Sequence, residues 1–547
     1  MQALTVAIGP KGITFFAQNL VSGELINCLS TLKPPDRNLT VPDITHYTAG
    51  YNFTISNIQI SLTNGSLSGY SPTFSSVSQQ AGGQFPLVMV GSNFSANYKW
   101  YESYHDHSCS TSSHGSYCND YDGSNTFTYS PSVGSLTTTV TLGFVYNNKT
   151  QSYEIDVVNS TGQTANMTAN IPGNSVLQNE DASCFSSHVS DTTEQLFDNI
   201  DFSSALQSVL PSMLQSIPAS GKLTDKINYE FGLGDSGLTF PNNNGIAIGV
   251  TGKVSYNGQY YPGTVPAALP VPPVPTDSHH LQMYVSDYEI NALHWAYYQA
   301  GLLNTTVNPS DLPDPDVLKV KTYVNLVPAF KPYQTYAMQA QVNPKAPPVV
   351  AFQDVYIFTS AAMSLLQTQL PNNIYQEITG LEGNAYVAKA DLEADLSEVD
   401  QSWWPAIEKA TIAMGMAVTQ NLEFTMTIQT PNDPKPNLVF DVQRTDILQN
   451  LALGIAGKAQ TMQYAFQQVK YATTFVSTTV PNFDKTNFAD LVWPVAGEPR
   501  YDQTLTAMGQ TGVPLPIMAD FQFLFDQAVL SIQEGYVSIL SDVKFKS

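Results

Sequence analysis

The chain has 547 residues, 42 % of them hydrophobic and only 12 % charged, and Lys+Arg 22 against Asp+Glu 45 leaves a formal net charge of −23. That length exceeds one ordinary core and predicts two domains or more, while the charge-poor, aromatic-rich composition argues against disorder. The cations through residue 260 are the scattered Lys11, Lys33, Arg37, Lys99, Lys149, Lys222, Lys226 and Lys253, so no basic patch exists for a phosphate backbone and nucleic acid is excluded as a partner.

In chain order, Leu4, Val6 and Ile8 alternate as a strand does. Residues 13–32 then predict a helix with Ile13, Phe16, Leu20, Cys28 and Leu32 on its apolar stripe, stopped by Pro34 and Pro35. Residues 40 to 170 predict short strands separated by Asn/Gly/Ser turns, with "TTTVTLGFVYNN" and "SYEIDVVN" the clearest hairpin. A second helix is predicted at about 193–217, striped by Leu206, Leu210 and Met213 and kinked at Pro211. Strands "KINYEFGL" and "NGIAIGVTGKVSY" lead into a Pro-rich stretch, 257–278, expected to be a stiff extended spacer.

After the spacer, Leu281, Met283 and Val285 alternate again. Ser286 and Glu289 have capping-box spacing, Ile290, Leu293 and Tyr297 lie on the helix that follows, and Gly301 supplies its exit. The order strand, long helix, antiparallel strands, second helix, closing strands therefore occurs twice. Strands are expected at "LKVKTYVNLV", "PPVVAFQDVYIF", "LEFTMTIQT", "NLVFDVQRT" and 388–397, and at the C-terminus around Phe521, Val537 and "DVKF". Residues 487–508 read as a helix broken by Pro494 and Pro499, and 443–480 as helical without a counterpart in the first half. Twisted antiparallel sheets around such helices leave elongated apolar grooves wherever the two do not meet tightly.

Four segments in this order resemble the family of bactericidal/permeability-increasing protein, which includes lipopolysaccharide-binding, cholesteryl ester transfer and phospholipid transfer proteins. They are "GITFFAQNLVSGELINCLSTLKPPD", "LQSIPASGKLTDKINYEFGL", "MYVSDYEINALHWAYYQAGLL" and "GVPLPIMADFQFLF…ILSDVKF". The resemblance implies an α+β fold, a boomerang-shaped tandem of two related barrels (1–256 and 279–547) joined by a central sheet and the Pro-rich 257–278. It also implies apolar lipid pockets, at Ile13, Phe16, Leu20, Leu206, Leu210 and Met213 in the first half and at Ile290, Leu293 and Tyr297 in the second. The expected ligand is a phospholipid or similar acyl lipid, with no cofactor and no catalytic residues. Transient contact with a membrane or lipoprotein surface would deliver it. Two features depart from the family. Residues 1–256 hold eight Lys+Arg against eighteen Asp+Glu, where lipopolysaccharide-neutralising members carry a cationic tip. The family's disulfide also spans a closer spacing than these cysteines offer.

The four cysteines, Cys28, Cys109, Cys118 and Cys184, allow three pairings. Cys109–Cys118 would close a polar loop and leave Cys28–Cys184. "HDHSCSTSSHGSYC" also offers His105, His107 and His114 beside Cys109 and Cys118 for zinc. The spacing matches no established zinc pattern and a disulfide sulfur cannot ligate metal, so no metal is expected. Sequons at Asn38, Asn52, Asn64, Asn93, Asn148, Asn159, Asn166 and Asn304, with disulfides, point to a secreted glycoprotein. No apolar run reaches the ~18 residues of a membrane span. "MQALTVAIGP" lacks the features of a signal peptide, and the chain reads as a mature form. "GLGDSGL" (232–238) echoes a serine-protease motif without placed partners, and neither a phosphate loop nor a dinucleotide fingerprint is present. A lipid-binding or lipid-transfer protein is the expectation. A structural protein with side chains plugging the same pockets, or a host-defence protein binding microbial lipid, is the alternative.

Overall fold

The computed structural model describes residues 3–25, 32–147, 152–171, 220–264, 269–357, 360–379, 386–388, 401–456, 459–478, 492–516 and 521–545, apart from 49, 170, 242–243, 271, 276–278 and 433–434, together with part of 189–207. The fold is sheet-rich with fewer helices, and among the described residues every ladder is antiparallel. It divides into two units, Gly9–Ser216 with Phe240–Ile246, and Met1–Ile8 with Ile217–Thr239 and Ala247–Ser547.

The chain opens with β1 (Leu4–Ile8), then α1 (Pro10–Leu20), which carries Pro10 in its first turn and continues as a π-helical turn, Val21–Leu25. In the Gly9–Ser216 unit follow β2 (Arg37–Thr40), β3 (Ile44–Thr48), β4 (Tyr51–Ser68), β5 (Thr73–Val77), β6 (Phe85–Ser112), β7 (Gly115–Tyr129), β8 (Ser132–Asn147), β9 (Ser152–Thr168) and a short helix α2 (Phe202–Gln207). The sheet order is β2-β4-β6-β8-β9, with β3 also paired to β4, and β5 and β7 also paired to β6.

The expected short strands are instead a few very long ones; β6 alone runs 28 residues. The Asn-rich sites that read as turns are irregularities within strands. Asn57, Asn64, Asn93 and Asn166 all have positive φ, between 53° and 56°, a region that Asn tolerates better than most residues. In β4 the register slips at Ser56/Gln59 and again at Thr63/Ser66. The slip lets Phe53 and Ile55 share one buried face with Ile58, Ile60 and Leu62 although the alternation changes phase between them. The β8–β9 hairpin forms as expected, from Asn147 opposite Ser152 onward.

In the other unit, β10 (Leu233–Thr239), β11 (Ile246–Val250), β1, β12 (Leu281–Ser286), β17 (Tyr536–Ser541) and β16 (Val529–Gln533) form one sheet in that order. β1 and β12, the opening strands of the two repeats, pair directly, Leu4 with Val285 through Ile8 with Leu281. On either side lies a hairpin, β10–β11 next to β1 and β16–β17 next to β12. Helix α3 (Asp287–Gln299) follows β12, with Gly301 leaving it at φ 67°. A second large sheet contains β13 (Ile412–Ile428), β14 (Lys435–Ala456) and β15 (Ala459–Thr478), and helix α4 (Glu498–Thr511) packs on β15.

Three expectations fail here. Of residues 443–480, the described 443–456 and 459–478 are not helical but lie in the β14–β15 hairpin, where Ala456 faces Ala459. Register shifts at Thr445/Asp446 and Leu448/Asn450 break the two-residue period, and sheet partners override the helix propensity of its Leu, Ala and Gln. "LKVKTYVNLV" forms 3-10 turns, Pro315–Leu318 and Val320–Tyr323. Asp314 accepts from the Asp316 N–H, Thr322 bonds back to the Asp316 carbonyl, and Lys319 and Lys321 both pair with the Asp316 carboxylate. Pro499 does not break a helix; it sits in the first turn of α4, where its missing N–H is harmless. The expected strand at 388–397 lies outside the described residues beyond Ala388.

Candidate functional site

Helix α1 turns Gly12, Ala17 and Leu20 inward, and Leu20 joins the same apolar cluster as Leu206 of α2 and the inner face of β4, β6 and β8. Ile13, Phe15 and Phe16 on the same helix remain partly accessible to solvent, with the Phe15 and Phe16 rings edge to face at 5.9 Å. Leu210 and Met213 lie outside the described residues. The cluster is floored by Trp100, Tyr98 and Tyr129; the Tyr98 ring stacks on Tyr129, and Trp100 meets Tyr129 edge to face. Among the described residues of this unit the buried charged side chain is Glu102, which accepts from Trp100 Nε1 at 3.2 Å and from Asn125 Nδ2 at 2.9 Å. The first half therefore presents an apolar interior with one helix partly open along its apolar side.

Helix α3, which follows β12 as α1 follows β1, is buried almost all round. Ile290 and Leu293 have no accessible surface, and Tyr297 keeps 7 %. The capping box does not form, since Ser286 is the N-cap residue but its hydroxyl makes no cap hydrogen bond. Glu289 turns inward against Gly252 and Leu4 instead, and a Cβ on Gly252, at φ 43°, would collide with its carboxylate. Burial pushes the Glu289 carboxyl up to about 8. One turn on, His294 Nε2 lies 2.9 Å from the Tyr464 hydroxyl, and burial drives the imidazole down to about 3, keeping it neutral. Asn291 ties the helix to the sheet, donating to the Val350 carbonyl at 3.0 Å and accepting from its N–H at 2.7 Å.

Beneath α4 lies a charged network centred on Arg444, where the expected strand "NLVFDVQRT" and the helical reading of 443–480 overlap. Arg444 is fully buried on β14, and its guanidinium holds Asp446 through Nε and Nη2 at 2.6 to 2.9 Å and also reaches Asp502. Gln420 Nε2 donates to Asp446, and the Tyr501 hydroxyl donates to Gln420 Oε1, both at 2.5 Å. Desolvation raises the Asp446 carboxyl against the pull of Arg444, while the two aspartates keep Arg444 charged despite its burial. Partial burial, with Asp502 and Asp446 nearby, pushes Glu498 up to about 7. Arg444 and Asp446 are two apart, so on a strand they share a face; the expected strand "NLVFDVQRT" already held Arg444, and extending it by one residue to Asp446 was the signal available in the sequence.

The His/Cys stretch forms the tip of the β6–β7 hairpin. Cys109 and Cys118 are directly opposite and disulfide-bonded. The thiols that zinc would need are thus taken in this state. Cys28 and Cys184 lie outside the described residues. Asn38, Asn52, Asn64, Asn93, Asn159, Asn166 and Asn304 are exposed, and Asn148 lies outside the described residues. Three of these, Asn64, Asn93 and Asn166, hold positive φ, so their residue type has a backbone cause independent of any glycan.

Residues 240–438 match the sequence profile of the LBP / BPI / CETP family, C-terminal domain. Over that span the chain is similar to the C-terminal domain of the LBP/BPI/CETP family. By structure the chain is similar to lipopolysaccharide binding protein, at 14 % identity and TM-score 0.47, covering 100 % of this chain and 99 % of that one. It is also similar to P47 of Clostridium botulinum E1, at 6 % identity and TM-score 0.21, covering 99 % of each. A partial likeness to Takeout 1 of Epiphyas postvittana has 10 % identity and TM-score 0.13, covering 33 % of this chain and 80 % of that one. No curated protein sequence matches the chain.

The LBP/BPI/CETP match includes Ile290, Leu293 and Tyr297 of α3 but neither α1 nor the β6–β7 hairpin. Among the described residues no helix is long and apolar enough to cross a membrane.

Proposed function

We propose that the protein is a secreted lipid-binding or lipid-transfer protein of the LBP/BPI/CETP type, holding a phospholipid or similar acyl lipid without covalent chemistry, in two domains joined by the Pro-rich 257–278. The observation that carries this reading is the half-open apolar side of α1, at Ile13 and Phe16, above an interior that contains Leu20 and Leu206. An acyl chain laid there would gain about 0.8 kcal/mol for each methylene removed from water. Few cations accompany that interior, so a neutral or zwitterionic head group is favoured over an anionic one. The closed surface around Ile290 and Leu293 favours a second reading for the second half alone, in which side chains fill the pocket and the domain supports the first.

Native mass spectrometry and solvent extraction of the purified protein test this. Bound lipid is expected, and Phe16→Asp is expected to lower its stoichiometry while leaving the circular dichroism spectrum unchanged. Protein that carries no lipid and takes up none from zwitterionic vesicles would sink the proposal.

A further inference from the structure

The outer half of the β6–β7 hairpin carries a chemistry that lipid binding does not use. Strand side chains alternate, so His105, His107 and Cys109 on β6 share one face with Cys118, Asp120 and Asp122 on β7. The ladder sets them opposite one another as His105 with Asp122, His107 with Asp120 and Cys109 with Cys118. His107 Nδ1 lies 2.6 Å from Asp120 Oδ1, and its Nε2 lies 3.3 Å from Cys109 Sγ. One ligand atom each from His107, Cys109 and Cys118 falls within 4.8 Å of the others. His107 and Cys118 are exposed and Cys109 half-buried, so solutes reach all three.

We infer that reduction of the Cys109–Cys118 disulfide converts this hairpin tip into a zinc site made of two thiolates and the His107 imidazole. The step balances. A dithiol reductant supplies two electrons and two protons, the S–S bond opens to two thiols, and the reductant leaves as its own disulfide. Zinc then displaces the two thiol protons.

Geometry and ligand chemistry both fit. Zinc takes sulfur at about 2.3 Å and imidazole nitrogen at about 2.0 Å, so tetrahedral ligands sit about 3.5 to 3.8 Å apart. His107 Nε2 is already close to that distance from Cys109 Sγ, and the sulfurs need only move apart by side-chain rotation. The backbone need not move, because the β6–β7 ladder is continuous from Tyr98–Tyr129 to Ser112–Gly115 and holds the register without the crosslink. Asp120 completes the arrangement. A carboxylate on the far nitrogen of a ligating imidazole fixes the tautomer and turns the free lone pair to the metal. The fourth position stays open to water. Two thiolates select soft or borderline ions over calcium or magnesium. Metal and disulfide exclude each other, so the tip holds zinc only when reduced.

The test uses the full chain, reduced with a phosphine under anaerobic conditions and titrated with Co2+ as a spectroscopic stand-in and then with Zn2+. Thiolate-to-cobalt absorption is expected in the reduced wild type, bleached by Zn2+, and absent from the oxidised protein. His107→Ala is expected to weaken metal binding at least ten-fold. Asp120→Asn should weaken it about 10- to 100-fold. Both changes are at exposed positions and leave the ladder intact, so far-UV circular dichroism should not change. The Cys109→Ser/Cys118→Ser protein separates this site from the thiols of Cys28 and Cys184. Absence of a thiolate band in the reduced wild type, an undiminished band in the double serine protein, or unaltered affinity in His107→Ala would each overturn the inference.

Discussion

Helices α1 and α3 follow equivalent strands, β1 and β12, which pair with each other, yet their surroundings differ. α1 buries Gly12, Ala17 and Leu20 and leaves Ile13 and Phe16 half-open, over an interior whose buried charge, among the described residues, is the hydrogen-bonded Glu102. α3 buries Tyr288 through Ile290 and Ala292 through Tyr297, including a carboxyl and an imidazole held neutral. One repeat has kept an accessible apolar side on its first helix, and the other has packed that side with protein. An apolar stripe in a sequence thus marks what must leave water, without saying whether side chains or a ligand will cover it.

The contrast can be broken most forcefully under α4. Arg444→Met leaves Asp446 buried without its partner and is expected to cost about 3–5 kcal/mol in urea unfolding; a loss as small as that of a surface change would mean the second unit is not closed there. Next, Leu293→Ala should cost about 2–5 kcal/mol, whereas Ile13→Ala, at a half-open position, should cost less than about 2 kcal/mol. Lipid retention should follow the opposite order, reduced by changes in α1 and unaffected by Leu293→Ala. Equal stability losses at the two positions would erase the distinction.

The buried groups of α3 also give it a pH signature. Glu289 has a folded pKa of about 8, above its unfolded value of 4.5, so its contribution is full below about pH 4.5 and is lost as pH rises towards 8. His294 runs the other way. Its folded pKa of about 3 lies below 6.5, so its contribution is full above pH 6.5 and is lost as pH falls towards 3. Glu289→Gln is therefore expected to raise the melting temperature at pH 8 relative to wild type and to flatten the decline from pH 5 to 8. An unaltered alkaline slope would show that Glu289 is solvated. The smallest effect should come from the strand irregularities. Asn93→Gly, which relieves the positive φ, should shift stability by under about 1 kcal/mol, while Asn93→Val should cost about 1–2 kcal/mol.

Much was legible locally. Alternation in Leu4–Ile8 and Leu281–Ser286, each running into a helical stripe, marked the two repeat starts, and the Cys109–Cys118 pairing was among those the cysteine positions allowed. What was not legible depended on distant partners. Asn64-Gly65 reads as a turn, but β6 and the neighbouring strands carry the chain straight through it. The Ser286/Glu289 spacing promised a cap until Gly252, 37 positions before Glu289, offered the side chain a buried place.

By itself the sequence determined composition, the doubled order of elements, their apolar faces and the strand–helix junctions, because these rest on periodicities of two and 3.6 that neighbouring residues express alone. Tertiary structure decided which Asn signals became bulges rather than turns, whether 443–456 and 459–478 became strand, which charges were buried together and which apolar helix stayed open. Those outcomes depend on free-energy differences between residues brought together from far apart in the chain, and no local pattern encodes them.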